Sequence, residues 1–91
     1  MDSPLYSEKD FTRAAAWVLR RLRKKRGISQ ERAAELVGLS RQYLTRFEGG
    51  HHTPSSYLLA QFADAYSVPL TELMEQIEQR AIHYASKRRS R

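Results

Sequence analysis

Arg41, Gln42, Thr45 and Arg46 recur at the spacing of one helical face. Arginine can present two parallel donors to the O6 and N7 acceptors of guanine, and glutamine can pair in the same bidentate way with adenine. A short helix carrying these groups is equipped to read base edges in a major groove. The competing reading is an antiparallel helix pair with a merely solvated polar surface. The residues around this face have to decide between the two.

Those residues describe a pair of short helices. Ser29 can cap the first helix and Gly38 can end it, because glycine accepts the left-handed conformation that helix C-termini favour. Ser40 then caps a second helix over about Arg41 to Glu48. Ala33, Val37, Leu39, Leu44 and Phe47 fall where the two helices face each other and a common core, with Ala34 small at their closest approach. This alternation of small, glycine and apolar positions is what a helix-turn-helix needs.

The chain has 91 residues, which suits one domain with a modest core and leaves no room for an added sensor domain. Its formal net charge is +6, and the charge is clustered. Arg20 to Arg26 places six cations in seven positions, and Lys87 to Arg91 adds four more. Such clusters favour a polyphosphate partner, since neutralised phosphates release condensed counterions. An anionic membrane surface is the competing acceptor. However, the chain has no long apolar run, and its polar, acidic start is unlike a signal peptide. A cytoplasmic, nucleoid-associated protein with no membrane partner is the expectation. Cysteine is absent, which excludes disulfides and thiolate metal sites.

Residues 1–6 read as a flexible lead, residues 7–85 as the folded domain and residues 86–91 as a solvated basic tail. Ser7 and Asp10 have capping-box spacing, and Tyr6 and Phe11 have staple spacing, so a first helix is expected from about Glu8 to Arg26. Phe11, Ala15, Val18 and Leu22 form its buried stripe, with Leu19 beside it. Trp17 lies off that stripe and is expected to pack on a late helix rather than stand exposed. Gly49 to Pro54 is a loop by composition. A fourth helix follows, capped within Thr53 to Ser56 with Pro54 in its first turn, and carries Leu58, Leu59, Phe62, Ala63 and Tyr66 toward the core. A fifth helix starts near Leu70 and presents Leu70, Leu73, Met74, Ile77, Ala81 and Tyr84 on one side, with Glu72, Glu75 and Glu78 outside.

With these elements laid out, the run from Leu22 to Met74 resembles the Cro/repressor-type, Xre-like (lambda-repressor-like) helix-turn-helix DNA-binding domains. The resemblance rests on Gly-Ile-Ser-Gln at 27–30, Gly-Leu-Ser at 38–40 and Phe-Glu-Gly at 47–49, with Pro-Ser at 54–55 and Val-Pro-Leu-Thr-Glu-Leu at 68–73. It implies an all-α, compact five-helix domain, here with extended first and fifth helices. It also implies roles. Gln30 would contact a phosphate, as would the amides at the same helix N-terminus. Arg41 and Gln42 would meet base edges with Ser40 nearby, Thr45 and Arg46 would reach farther along the groove, and the Tyr43 hydroxyl would face a phosphate. Arg23 and Glu48 occupy positions that pair internally in several members, so Arg23 is expected to be structural. Arg20, Arg21, Lys24, Lys25 and Arg26 are expected to supply surface charge, the last three as candidate phosphate contacts together with His51 and His52. Three features depart from the pattern: Ala33 is smaller than the usual leucine, Leu36 replaces a polar residue, and Gly49 and His51 replace polar or basic phosphate contacts.

Other chemistries are disfavoured. His51 and His52 are adjacent in a loop, and only His83 remains elsewhere, so no metal site and no cofactor are expected. The carboxylates are dispersed and no nucleophile–base spacing or phosphate-binding glycine loop stands out, so the protein is not expected to be an enzyme. Ile77, Ala81 and Tyr84 extend the apolar stripe beyond what a small core needs. They either fold back on the first helix or pair with a second copy; a homodimer through these residues is the expectation, because two recognition helices in successive grooves need a two-fold partner.

The function expected is that of a dimeric, sequence-specific regulator of double-stranded DNA, most simply a repressor on a palindromic operator. Its control would come through concentration, dimerisation, a partner protein or proteolysis. The alternatives are an antitoxin gripping a toxin or other protein partner, a sequence-tolerant RNA or DNA binder, and a protein–protein module that binds no nucleic acid.

Overall fold

The computed structural model describes residues 5–89, which form five α-helices and no strand. They are α1 (Glu8–Lys25), α2 (Gln30–Val37), α3 (Arg41–Glu48), α4 (Ser56–Ala65) and α5 (Leu70–Arg89). The fold is all-α with long first and last helices, as the resemblance implied.

The first four helix starts each have a local cause. Ser7 accepts from the Asp10 amide at 3.1 Å while the Asp10 carboxylate accepts from the Ser7 amide at 3.0 Å, a reciprocal capping box. Tyr6 stacks on Phe11 with ring centroids 6.4 Å apart and closes the hydrophobic staple. Ser29, Ser40 and Ser55 cap α2, α3 and α4 through their side-chain oxygens. Pro54 therefore lies just before the α4 cap, where it is buried, and not inside the first turn as its spacing suggested. Gly38 ends α2 at φ +73°, which an L side chain would strain.

The core is one cluster built from all five helices, with α1 lying chiefly along α5. Ala15, Val18, Leu19 and Leu22 of α1 meet Leu73, Ile77 and Ala81 of α5, and Leu44, Phe62 and Tyr66 complete the interior. Leu73 and Ile77 are wholly buried, each contributing about 1.5–3 kcal/mol of burial free energy. The assignment of Ile77 and Ala81 to a dimer surface is corrected here. Both have 0% exposure inside a single chain, because the α5 stripe folds back on α1. Tyr84 is only partly buried, but its ring is taken by Arg13 of the same chain, whose guanidinium carbon lies 3.9 Å from the centroid.

The ends also depart from expectation. The lead expected at 1–6 falls outside the described residues for 1–4, and Tyr6 is anchored, donating to the Glu78 carboxylate at 2.7 Å. Residues 86–89 of the expected tail continue α5, while 90–91 lie outside the described residues. Cations at a helix C-terminus complement its dipole. Arg88 in addition forks onto Asp10, with Nη2 2.9 Å from Oδ2, and Arg89 donates to the Leu5 carbonyl at 3.1 Å.

Two measurements check this packing. Ile77→Ala is expected to cost about 2–5 kcal/mol in urea unfolding, the range for a buried aliphatic truncation, with the loss independent of protein concentration. A concentration-dependent loss would restore the dimer assignment. The second concerns Asp10, whose carboxyl is held well below the usual carboxylate range, first by the Arg88 fork and then by the Ser7 amide. A depressed folded-state pKa stabilises the fold above the unfolded value of about 4 and is lost as pH falls through the folded value. Asp10→Asn should therefore lower Tm at pH 7, and the gap from wild type should narrow as pH drops below about 4. A gap constant from pH 7 to pH 2 would contradict it.

Candidate nucleic-acid interface

The α3 surface is set by a polar network beneath it. Arg23 of α1 donates from Nε to Glu48 Oε2 at 2.6 Å and from Nη2 to Oε1 at 3.1 Å, a bidentate pair buried at the end of α3. Its Nη1 donates to the Ile28 carbonyl at 2.9 Å, fixing the α1–α2 turn. Gln30, the first residue of α2, donates from Nε2 to Glu48 Oε1 at 3.1 Å. Three elements are thus tied to one carboxylate. The second N–H of the Gln30 amide remains a donor, and the side chain stays partly exposed at the helix N-terminus expected to meet a phosphate.

Arg41, Gln42, Thr45 and Arg46 are all exposed on α3, while Leu44 and Phe47 anchor its other side. Thr45 donates its hydroxyl to the Arg41 carbonyl at 2.9 Å, so toward a ligand that hydroxyl is left as an acceptor only. The Ser40 hydroxyl accepts from the Tyr43 amide at 3.1 Å, so its first duty is the cap. Tyr43 is 42% exposed and stacks on His52 with centroids 5.3 Å apart and planes 6° from parallel. His52 also tilts against Phe47 at 5.8 Å. The loop after α3 is therefore pinned to the helix by aromatic contact. His51 stands against Gly49, where a Cβ would meet its ring at 3.0 Å. A side chain at 49 would therefore have to displace the exposed His51 ring.

The candidate phosphate contacts separate. Lys24 and Lys25 are exposed at the end of α1. Arg26 is corrected: its Nε donates to the Tyr66 carbonyl at 2.9 Å, with Nη2 3.4 Å from the Ser67 carbonyl, so its guanidinium serves the C-terminus of α4. Trp17 is 37% exposed and carries Arg80 of α5 over its ring at 3.7 Å, which satisfies the expectation of packing on a late helix only in part. The Asp10–Arg88 fork and the Arg80 stack escaped sequence reasoning because each joins residues from opposite ends of the chain. No group of three or more potential metal-ligating side chains comes together among the described residues. None of the helices described is long and apolar enough to cross a membrane.

Comparison with known proteins places this geometry. The model of the helix-turn-helix domain family matches residues 14–76. An uncharacterised HTH-type transcriptional regulator of Sinorhizobium fredii is 37% identical over 54 residues, covering 59% of this chain and 70% of the relative. The crystal structure of the clp gene regulator ClgR from Corynebacterium glutamicum superposes with a TM-score of 0.78 over 86% of this chain and 83% of that one; at 24% identity it shows the shared fold. A hypothetical transcription factor, NHTF, from Neisseria superposes with a TM-score of 0.66 at 27% identity, covering 80% of this chain and 84% of that one.

The buried network yields a direct expectation. Glu48→Ala leaves the Arg23 charge buried and unpaired, and should cost about 3–5 kcal/mol in urea unfolding. The double change Arg23→Met, Glu48→Leu should recover most of that loss. A single-variant cost below about 1 kcal/mol, the range of an exposed pair, would remove this ion pair from its central place.

Proposed function

Starting from the premise that this chain belongs to the helix-turn-helix domain family, we propose that it is a sequence-specific repressor that binds a palindromic operator in double-stranded DNA as a homodimer. The observation that carries the reading is the exposure of Arg41, Gln42, Thr45 and Arg46 on a helix whose opposite side and both ends are fixed. A preorganised helix presents its donors without an ordering cost at the moment of binding. Arg41 and Gln42, in the first turn, supply the bidentate base contacts. Arg46 reaches along the groove, and Thr45 offers a methyl group suited to thymine. Gln30, Lys24, Lys25 and the His51–His52 loop hold the backbone on either side. Helix-turn-helix transcription regulators are not enzymes, in keeping with the dispersed carboxylates of this sequence.

A two-fold arrangement follows from the need to place two recognition helices in successive grooves. With Ile77 and Ala81 interior, the apolar groups available to a second copy are exposed ones such as Leu36, Tyr57 and Leu70.

The reading is tested by titrating the DNA upstream of the protein's own gene against a random duplex of equal length at two salt concentrations. A preference of about a thousandfold or more supports it; equal, steeply salt-dependent binding to both duplexes opposes it. On the preferred site, Arg41→Ala or Gln42→Ala should relax discrimination at one base position by about 1–3 kcal/mol, whereas Lys24→Ala or Lys25→Ala should weaken all sequences alike. Uniform losses from both classes would count against base reading by α3.

A further inference from the structure

Cations and rings alternate across the trough between α1 and α5. Arg21 lies over Trp17 at 5.2 Å and Arg80 over the other reach of the same ring at 3.7 Å. Arg80 is also 5.1 Å from the Tyr84 centroid, and Arg13 covers Tyr84 at 3.9 Å. Arg20 lines an adjoining hollow that shares Trp17 and Arg21 with the one around Arg80 and ends at Lys24, which is already assigned to the operator backbone. None of the four arginines that line these two adjoining hollows (Arg13, Arg20, Arg21, Arg80) has a carboxylate partner among the described residues. The carboxylate that does border the trough, Glu48, is taken by Arg23.

We propose that this trough is a second DNA contact, one that grips the phosphate backbone of another duplex segment without reading bases. Holding α1 to α5 does not need so many cations. Arg20 and Lys24 are four residues apart and Arg21 and Lys24 three apart, spacings at which like charges destabilise a helix. A polyanion relieves that repulsion. A guanidinium set over a ring can keep in-plane N–H donors for phosphate oxygens; Arg80 spends its Nε on the Tyr84 hydroxyl at 3.3 Å and retains its two terminal nitrogens. An acidic protein partner fits less well, since protein interfaces centre on apolar anchors and both rings here are already covered by guanidinium groups. The trough also continues the reading surface. Gly49 borders both it and the hollow formed by Thr45, Arg46, His51 and His52.

The protein carries its own reporter, because Trp17 is the single tryptophan and lies in the trough. The intact chain is titrated with a random-sequence duplex of about 20 bp, two helical turns, following Trp17 emission and, with labelled duplex, anisotropy. The expected result is an emission change that persists in the triple variant Arg41→Ala, Gln42→Ala, Arg46→Ala, which tests the trough apart from base reading. In Arg13→Gln, Arg20→Gln, Arg21→Gln the affinity reported by emission should fall and its log–log salt slope become shallower by about three, one released counterion per lost phosphate contact. Urea unfolding of that variant verifies its fold, and wild-type protein held on an immobilised duplex should capture a second labelled duplex. Silent Trp17 emission while anisotropy saturates would overturn the proposal, as would loss of the signal in the α3 variant. An equal response to poly-glutamate of matched charge would reassign the trough to an acidic protein.

Discussion

The Glu48 carboxylate is where the three helices around the recognition face are made to agree. Arg23 reaches it from α1, Gln30 from the start of α2, and it closes α3 itself. Because the same guanidinium holds the Ile28 carbonyl, the turn that sets the α2 direction is part of the same unit. Taking this pair out of water is costly, and Coulomb attraction repays that cost only when geometry and remaining hydrogen bonds are good. Here the geometry is bidentate and the third guanidinium nitrogen is bonded as well. The gain is directional: an apolar plug would fill the space without fixing how α3 is rotated about its axis, and rotation decides which side chains face outward.

Much of this was legible from local chemistry. Ser7 with Asp10, Ser29, Ser40 and Gly38 mark helix ends through interactions within a few residues, so pattern alone locates them. The outward face of α3 follows from the same periodicity that buries Leu44 and Phe47. The Arg23–Glu48 pair came from resemblance, since two charges 25 positions apart do not announce a contact. What pattern could not supply was the identity of the covering body. Helical spacing shows that Ile77 and Ala81 share an apolar side, but a second copy and α1 of the same chain would cover it equally well. Arg26 likewise belongs to a cationic run by sequence, yet its position puts it against the α4 carbonyls. Gly49 departs from a contact that some members make there, and only the fold shows the His51 ring close beside it.

Charge is partitioned across the surface. Glu72 and Glu75 lie exposed on α5 with Glu78, which accepts from Tyr6, while the arginines on α1 and Arg80 gather on the other side of the α1–α5 seam. A net charge of +6 therefore understates the local field of the basic side, where four of the seven cations of α1 (Arg13, Arg20, Arg21 and Lys24) line one hollow. Such asymmetry orients an approaching polyanion before any contact forms, and the effect weakens with ionic strength.

The seam between α1 and α5 also carries a consequence for how the molecule is made. Asp10 and Arg88 are 78 positions apart, so the helix that leaves the ribosome first finds its main packing partner last. Until α5 is synthesised, the α1 stripe that packs on it stays open to water. The described ends finally lie side by side, with Arg89 on the Leu5 carbonyl, so the domain is topologically close to a ring.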